Sequence, residues 1–179
     1  VEEEMTQPFH FYDQLNPYIR EIETTIDQNY SCFFYGANES GKTFTALHAL
    51  CAAIDAGYTG YYIQFRDYLS YHNEANFQFD DDQSDPMSHL RHCHFLVVDE
   101  IGKESSTTDN VKSAFEGLVK AREANHVPTI FCGNVNFMPT DRWKAQTQQE
   151  QQHGPPVFER KYGHSAYNCM FRHFRFLMF

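Results

Sequence analysis

Residues 36–43 of this 179-residue chain constrain its fold more than any other stretch. They follow the pattern G-x-x-x-x-G-K-T, and their sequence is Gly36-Ala37-Asn38-Glu39-Ser40-Gly41-Lys42-Thr43. An apolar run over residues 32–35 comes just before them, and a segment with helical periodicity follows. A strand, a glycine-containing loop and a helix in this order are typical of a phosphate-binding loop. The pattern therefore predicts an α/β fold.

The residue types in this loop suit a nucleoside triphosphate. Glycines let the backbone curl so that several N–H groups face an anion, and the following helix adds the positive end of its dipole. We expect Lys42 to reach the β- and γ-phosphates and the Thr43 hydroxyl to hold Mg²⁺. The candidate nucleotide-binding residues are those of the loop together with Phe44, which follows it.

A second informative stretch is residues 94–100, in which four consecutive apolar residues lead into Asp99 and Glu100. Such a run predicts a strand buried on both faces, as in a parallel sheet, and ligands of open α/β sheets bind at the carboxyl ends of the strands. Asp99 is suited to hold Mg²⁺ through its water shell. Glu100 is suited to orient, or take a proton from, the water that attacks the γ-phosphate. The phosphate loop upstream favours this catalytic interpretation over a capping role.

Apolar periodicity predicts the remaining elements. Residues 13–28 are expected to form one amphipathic helix, and a further helix is expected over residues 109–125 with Asp109 as its cap. The apolar face of the helix after the loop is marked by Phe44, Leu47, Cys51 and Ile54. A strand over residues 128–134 ends in Asn134. If it lies between the other two strands of the site, Asn134 would be near the γ-phosphate.

Composition limits the classes of function. The net charge is −10, and a strongly acidic chain is not an obvious nucleic-acid binder, because phosphate contacts need clustered Lys and Arg. With 41% hydrophobic residues, residues 1–179 are predicted to form one domain, with residues 1–8 flexible. The five cysteines lie in apolar runs and indicate buried, reduced thiols. No apolar run has membrane-spanning length.

Taken together, these stretches resemble the DnaC/IstB-type branch of the AAA+ ATPases, which includes bacterial and phage helicase loaders. The resemblance covers nearly the whole chain from about Phe9. The matching stretches are GANESGKT at 36–43, HFLVVDEIGKE at 94–104, LVKAREANHVPTIFCGN at 118–134 and YGHSAYNCMFRHFRFLMF at 162–179. The first is common to all phosphate-loop ATPases, whereas DEIGKE and the run from Arg122 to Asn134 are more specific.

The resemblance implies a three-layer α/β fold whose five-stranded parallel sheet has the order 5-1-4-3-2. The sequence departs from many AAA+ proteins in one respect, since a C-terminal lid is expected to be absent or minimal. It implies an ATPase that uses ATP and Mg²⁺, works weakly alone, and shares active sites within a homo-oligomer. Asn134 matches the sensor-1 position. Arg172 looks like the arginine finger that enters a neighbour's site, and Arg160 is the second candidate. A helicase-binding domain ahead of Val1 is also expected.

The function implied by the resemblance is helicase loading in DNA replication, through assembly on single-stranded DNA and delivery of a replicative helicase. The expected location is the cytoplasm of a bacterial or phage-infected cell. Residues 66–76 lie where this clade contacts DNA, but Arg66 is their one firm positive charge, so weak contact is expected. Two alternatives remain open: an IstB-like transposition regulator on duplex DNA, and a nucleotide-responsive interaction module with little turnover.

Overall fold

A computed structural model describes residues 9–75, 86–104, 108–135 and 158–179 of the chain. The flexibility predicted for residues 1–8 lies outside these ranges. The helices are α1 Phe9–Arg20, α2 Ile22–Asp27, α3 Lys42–Asp55, α4 Phe65–Ala75, α5 Pro86–His92, α6 Asp109–Ala124, α7 Phe158–Tyr162 and α8 His164–His173. The strands are β1 Ser31–Tyr35, β2 Gly60–Gln64, β3 Phe95–Ile101, β4 Thr129–Gly133 and β5 Phe174–Met178.

The five strands form one parallel sheet in the order β2-β3-β4-β1-β5. This is the predicted order 5-1-4-3-2 read from the other side, and the fold prediction is confirmed. Strand β4 lies between β1 and β3, so the condition on which the prediction for Asn134 depended is met. The central strands β1 and β4 are buried at every position, as their continuous apolar runs indicate.

Helices cover both faces of the sheet and give three layers. One core cluster joins the sheet to α4, α5, α6, α7 and α8, and the other joins it to α1, α2 and α3. The first cluster is rich in aromatic rings: the ring centroids of Phe115 and Tyr162 are 4.6 Å apart, and those of Phe115 and Phe131 are 5.2 Å apart. These contacts fix α6 and α7 against the sheet.

Three local predictions need correction. The helix predicted over residues 13–28 is interrupted at Glu21, which separates α1 from α2. The cap of α6 is Thr108 rather than Asp109, because the Thr108 side chain accepts the Val111 N–H and Asp109 is already helical. The predicted apolar face of α3 lies on the surface, with Phe44 77% and Ile54 49% exposed.

The face of α3 that packs on the sheet is made mostly of alanine. Its buried positions are Ala46, Ala49, Leu50 and Ala53. Small side chains let the helix approach the sheet closely, and Gly60 of β2 leaves room for the one large side chain of this face, since a Cβ there would lie 2.5 Å from Leu50 Cδ1. Closeness of packing, rather than side-chain hydrophobicity, therefore decides which face of this helix is buried.

The five cysteines are free thiols, of which Cys51 on α3 is exposed and Cys169 is partly buried, so the prediction of buried thiols holds only for the other three. Among the described residues, no helix is both long and apolar enough to cross a membrane.

Candidate nucleotide-binding site

The predicted phosphate loop connects β1 to α3, and Gly41, in a left-handed conformation, precedes the first residue of the helix. Within the loop, Ser40 Oγ donates to the carbonyl oxygen of Ala37 at 2.9 Å. Lys42 Nζ donates to Gly36 O at 3.1 Å and to Ser40 Oγ at 3.0 Å, and it also contacts Ala37 O. The ammonium of Lys42 thus bonds to acceptors of its own loop, all of which water can replace.

The start of the loop is shaped by a close approach of two backbones. Gly36 has a φ of 144°, and a Cβ on it would lie 2.3 Å from the carbonyl oxygen of Phe179. The Phe179 N–H donates to Tyr35 O at 2.9 Å, so the residue after β5 is bonded to the last residue of β1. A glycine is required here because any side chain would push these segments apart.

Asp99 lies at the centre of the site and is 6% exposed. Its Oδ2 accepts from Thr43 Oγ1 at 2.7 Å and from the Tyr62 hydroxyl at 3.1 Å, while Oδ1 accepts from the Glu100 N–H at 2.7 Å. Burial, with the negative charge of Asp99 as the second cause, raises the pKa of Tyr62 to about 12, so this hydroxyl remains a donor at neutral pH. The two predicted metal ligands, Thr43 and Asp99, are brought into direct contact.

Glu100 occupies an irregular position in β3. Its φ is 63°, and the pairing of β3 with β4 shifts register between Val98 and Ile101. A bulge of this kind re-aims side chains, and left-handed backbone at a residue other than glycine, Asn or Asp is uncommon. The Glu100 carboxylate accepts from Lys103 Nζ through its Oε1 at 2.9 Å.

These side chains line a cavity of about 560 Å³ at the carboxyl edge of the sheet. Its walls come from the phosphate loop and α3, from the end of β3 and from the end of β4. The lining residues are Asn38, Glu39, Ser40, Gly41, Lys42, Thr43, Phe44, Asp99, Glu100, Ile101, Lys103, Gly133 and Asn134. Asn134 follows β4 and is exposed, as a residue that contacts a ligand must be. Four of the five predicted catalytic residues therefore meet in one place.

Arg172 is the predicted catalytic residue that does not join them. It lies in the last turn of α8, two residues before Phe174, which pairs with Ser31 at the start of β1. The phosphate loop follows the other end of β1, about 13 Å away at roughly 3.3 Å per residue. The Arg172 side chain is exposed at the amino edge of the sheet and does not line the described cavity of its own chain. The side chain of Arg160 lies outside the described part of the chain.

Two residues of the site were not predicted from the sequence. Tyr62 reaches Asp99 because β2 pairs with β3 so that Gln64 is opposite Asp99, a register that no local pattern reveals. Lys103 reaches Glu100 because the chain turns between them. A signal for it did exist, since glycine at position 102 just after a strand favours a tight turn.

The donor set fits Mg²⁺ and a triphosphate. Mg²⁺ prefers oxygen ligands, and the Thr43 hydroxyl and the buried Asp99 carboxylate supply two of them from the loop and from β3. The N-terminus of the 14-residue helix α3 faces the same cavity and favours an anion there. A phosphate loop after β1 that meets a carboxylate at the end of β3, with β4 between the two strands of a parallel sheet, defines this protein as having a phosphate-loop NTPase fold.

Comparison with solved structures narrows the kind of phosphate-loop NTPase fold. The crystal structure of the DnaC helicase loader matches with a TM-score of 0.68 at 18% identity, over 91% of this chain and 88% of that one. The crystal structure of DnaI matches with a TM-score of 0.58 at 15% identity, over 89% and 81% of the two chains. AMPPCP-bound DnaA from Aquifex aeolicus has a TM-score of 0.54 at 15% identity, over 82% of this chain and 44% of that one.

No family model matches the sequence, and no curated protein matches it significantly. At the identities found for the solved structures, the likeness establishes the fold. The chain has the fold of the DnaC-like AAA+ proteins, which confirms the resemblance carried by its motifs at the level of structure.

Proposed function

We propose that this protein is an AAA+ ATPase that binds ATP with Mg²⁺ and hydrolyses it at the cavity of the carboxyl edge. The observation that carries the proposal is the meeting of Lys42, Thr43, Asp99, Glu100 and Asn134 around one cavity, although they come from three separate segments of the chain. The AMPPCP-bound state of DnaA, a structure of similar fold, supports nucleotide as the ligand.

The residues would divide the work as follows. Lys42 exchanges its loop acceptors for phosphate oxygens, and the loop N–H groups bind the same anion. Thr43 and Asp99 hold Mg²⁺, which when bound supplies charge neutralisation at the phosphates. Glu100, aimed by its bulge, orients water or takes its proton, and Asn134 holds the water or the γ-phosphate from the β4 side.

The proposed site is completed by a neighbouring copy. Because Arg172 lies at the opposite edge of the sheet, it can act only on the site of another subunit, in a head-to-tail arrangement. An arginine supplied in this way is worth roughly 10³- to 10⁵-fold in rate in other NTPases. Arg160 remains the second candidate for this role.

The proposed biological role is that of a helicase loader in DNA replication, which assembles on single-stranded DNA and delivers a replicative helicase. The likeness in fold to the DnaC helicase loader and to DnaI supports this role. The net charge of −10 favours DNA contact through assembly or a partner rather than by the isolated chain.

ATP turnover across a range of protein concentrations, with and without single-stranded DNA, tests the proposal. We expect turnover per subunit to rise with concentration. Glu100→Gln should lower it at least about 100-fold without loss of nucleotide binding, since a general base contributes about 10²- to 10⁴-fold. Arg172→Ala should lower it roughly 10³-fold. Arg175→Ala is the matched control, because Arg175 is also exposed but stacks 4.3 Å from the Tyr30 ring of its own chain.

Mixing the two inactive variants separates a shared site from a self-contained one. A subunit with Glu100→Gln still carries Arg172, so it should restore the site of an Arg172→Ala neighbour, and the mixture should recover part of the activity. If turnover is independent of concentration and Arg172→Ala is silent, a nucleotide-responsive interaction module becomes the better account. Preference for duplex over single-stranded DNA would favour the transposition regulator.

A further inference from the structure

Lys103 lines the nucleotide cavity and has no role in the function proposed so far. A tight turn places it beside Glu100: the Lys103 N–H donates to Glu100 O at 3.2 Å, and Gly102 within the turn has a φ of 102°. Positive φ at the third residue of a β-turn favours glycine. The turn brings the Lys103 ammonium to 2.9 Å from the Glu100 carboxylate.

The backbone of this turn is hydrogen-bonded to side chains that do not line the cavity. The Gly102 N–H donates to Glu104 Oε1 at 3.1 Å, and Gly102 O accepts from Lys161 Nζ at 2.8 Å. Lys161 also pairs with Glu104 Oε2 at 2.7 Å, and the two side chains are only 11% and 6% exposed. The Tyr162 hydroxyl donates to Glu104 at 2.7 Å. The backbone under Lys103 is therefore fixed, whereas its side chain is 50% exposed and can change partner.

Lys103 and Lys42 line the same cavity. Lys42 comes from the phosphate loop and Lys103 from the turn after β3, and both side chains end in an ammonium group. Both line the cavity that receives the phosphates in the proposed function. An anion with several charges that is bound in this cavity would therefore meet a positive charge from each of two segments.

The ion pair between Lys103 and Glu100 is easily exchanged. Its members are 50% and 31% exposed, and pairs screened by water to this degree stabilise a protein little. A terminal phosphate carries up to twice the charge of a carboxylate and offers three oxygen acceptors. We propose that Lys103 is a second phosphate-binding cation, which holds Glu100 when no triphosphate is bound and exchanges that carboxylate for the terminal phosphate of ATP.

This exchange would have two consequences, both of which rest on the proposed function. ADP has no terminal phosphate, so Lys103 stays on Glu100 and contributes little to ADP binding. ATP draws Lys103 away and frees the Glu100 carboxylate for water. The residue thus makes the site selective for triphosphate and keeps Glu100 engaged until triphosphate arrives.

Calorimetric titration of the chain with ATP and with ADP, each with Mg²⁺, tests the proposal by binding rather than turnover. Lys103→Gln should weaken ATP binding roughly tenfold, as expected for one charge-assisted hydrogen bond, and should change ADP binding less than about twofold. Lys103→Arg should restore most of the ATP affinity. Lys112→Gln is the matched control: it breaks an ion pair of the same i,i+3 spacing, with Asp109, outside the cavity, and should change neither affinity.

Equal losses for ATP and ADP would overturn the proposal, since Lys103 would then act as general positive charge. No loss for either would overturn it as well. Failure of the proposed function would give a different result, because the wild-type chain itself would then bind neither ATP nor ADP. The inference about Lys103 would be wrong in that case too.

Discussion

Two positive charges at opposite edges of the sheet, those of Arg122 and Lys42, are held in opposite ways. At the amino edge, Arg122 of α6 is only 1% exposed, and its guanidinium donates to Thr129 Oγ1 at 2.9 Å, to Leu90 O at 3.2 Å and to Pro128 O. These acceptors belong to separate segments, which the arginine joins. At the carboxyl edge, Lys42 bonds to acceptors of its own loop and remains partly exposed.

The difference teaches how a structural charge is distinguished from a functional one. Burying a charged group is costly unless it is fully hydrogen-bonded. The buried guanidinium of Arg122 therefore stabilises the fold only while all its partners are present. A charge with local, replaceable acceptors stabilises little and is available to a ligand. Both residues lie in stretches that carried the family resemblance, yet we infer that only Lys42 serves the ligand.

The largest effect is expected at the amino edge. Arg122→Ala removes the guanidinium donor from the carbonyl groups of Leu90 and Cys93, two buried residues, and opens a cavity, and each unsatisfied group costs about 1–3 kcal/mol. We expect the free energy of unfolding to fall by at least about 3 kcal/mol. Urea unfolding followed by circular dichroism measures it.

The control for this change lies on the same helix. Lys120 is 54% exposed and forms an i,i+4 pair with Glu116, so Lys120→Ala should cost no more than about 0.5 kcal/mol. A loss below about 1 kcal/mol for Arg122→Ala would remove the distinction between the two edges.

Lys42→Ala should show the opposite pattern. Stability of the unliganded chain should change by less than about 1 kcal/mol, because the lost contacts lie within one exposed loop. ATP affinity should fall at least about 100-fold, since each of two charge-assisted bonds is worth about 1.5–3 kcal/mol. Thermal unfolding with and without ATP reads both quantities. If the unliganded variant is as unstable as Arg122→Ala, Lys42 is structural and the comparison fails.

The parts of the site that could be predicted are those carried by local patterns. The phosphate loop and the strand that ends in Asp99 each combine a continuous apolar run with polar residues at its carboxyl end. Parallel strands bring such ends to one edge, so their meeting follows from the pattern. Predicting the position of Asn134 also required the strand order, because Asn134 is near the site only if β4 lies between β1 and β3. That order came from the family resemblance.

The parts that could not be predicted depend on register, turns and packing distance. The contact between Tyr62 and Asp99 follows from the pairing of β2 with β3, and that between Lys103 and Glu100 from a turn behind a bulge. The buried face of α3 was predicted from large apolar side chains, whereas Ala46 and its neighbours pack against the sheet. Local hydrophobicity does not encode how closely two elements approach.

The smallest effect is expected for Tyr62→Phe. Asp99 loses one donor at 3.1 Å but keeps Thr43 and the Glu100 N–H, each at 2.7 Å, and the Tyr62 side chain is 39% exposed. The change should cost no more than about 1 kcal/mol of stability. The affinity for ATP in the presence of Mg²⁺ should fall less than about fivefold, since roughly 1.4 kcal/mol corresponds to tenfold.

The pH dependence of the same variant tests its physical basis. The pKa of Tyr62 is raised to about 12 in the folded chain, so its contribution is fully present below the unfolded value near 10 and is lost as pH rises toward 12. The difference in unfolding free energy between wild type and Tyr62→Phe should therefore be constant from pH 7 to about 9.5 and should shift against the wild type above about pH 10.

A cost above about 2 kcal/mol at neutral pH would mean that the carboxyl edge holds Asp99 as tightly as the amino edge holds Arg122. Asp99 would then be a fixed part of the fold rather than a ligand free to bind a metal.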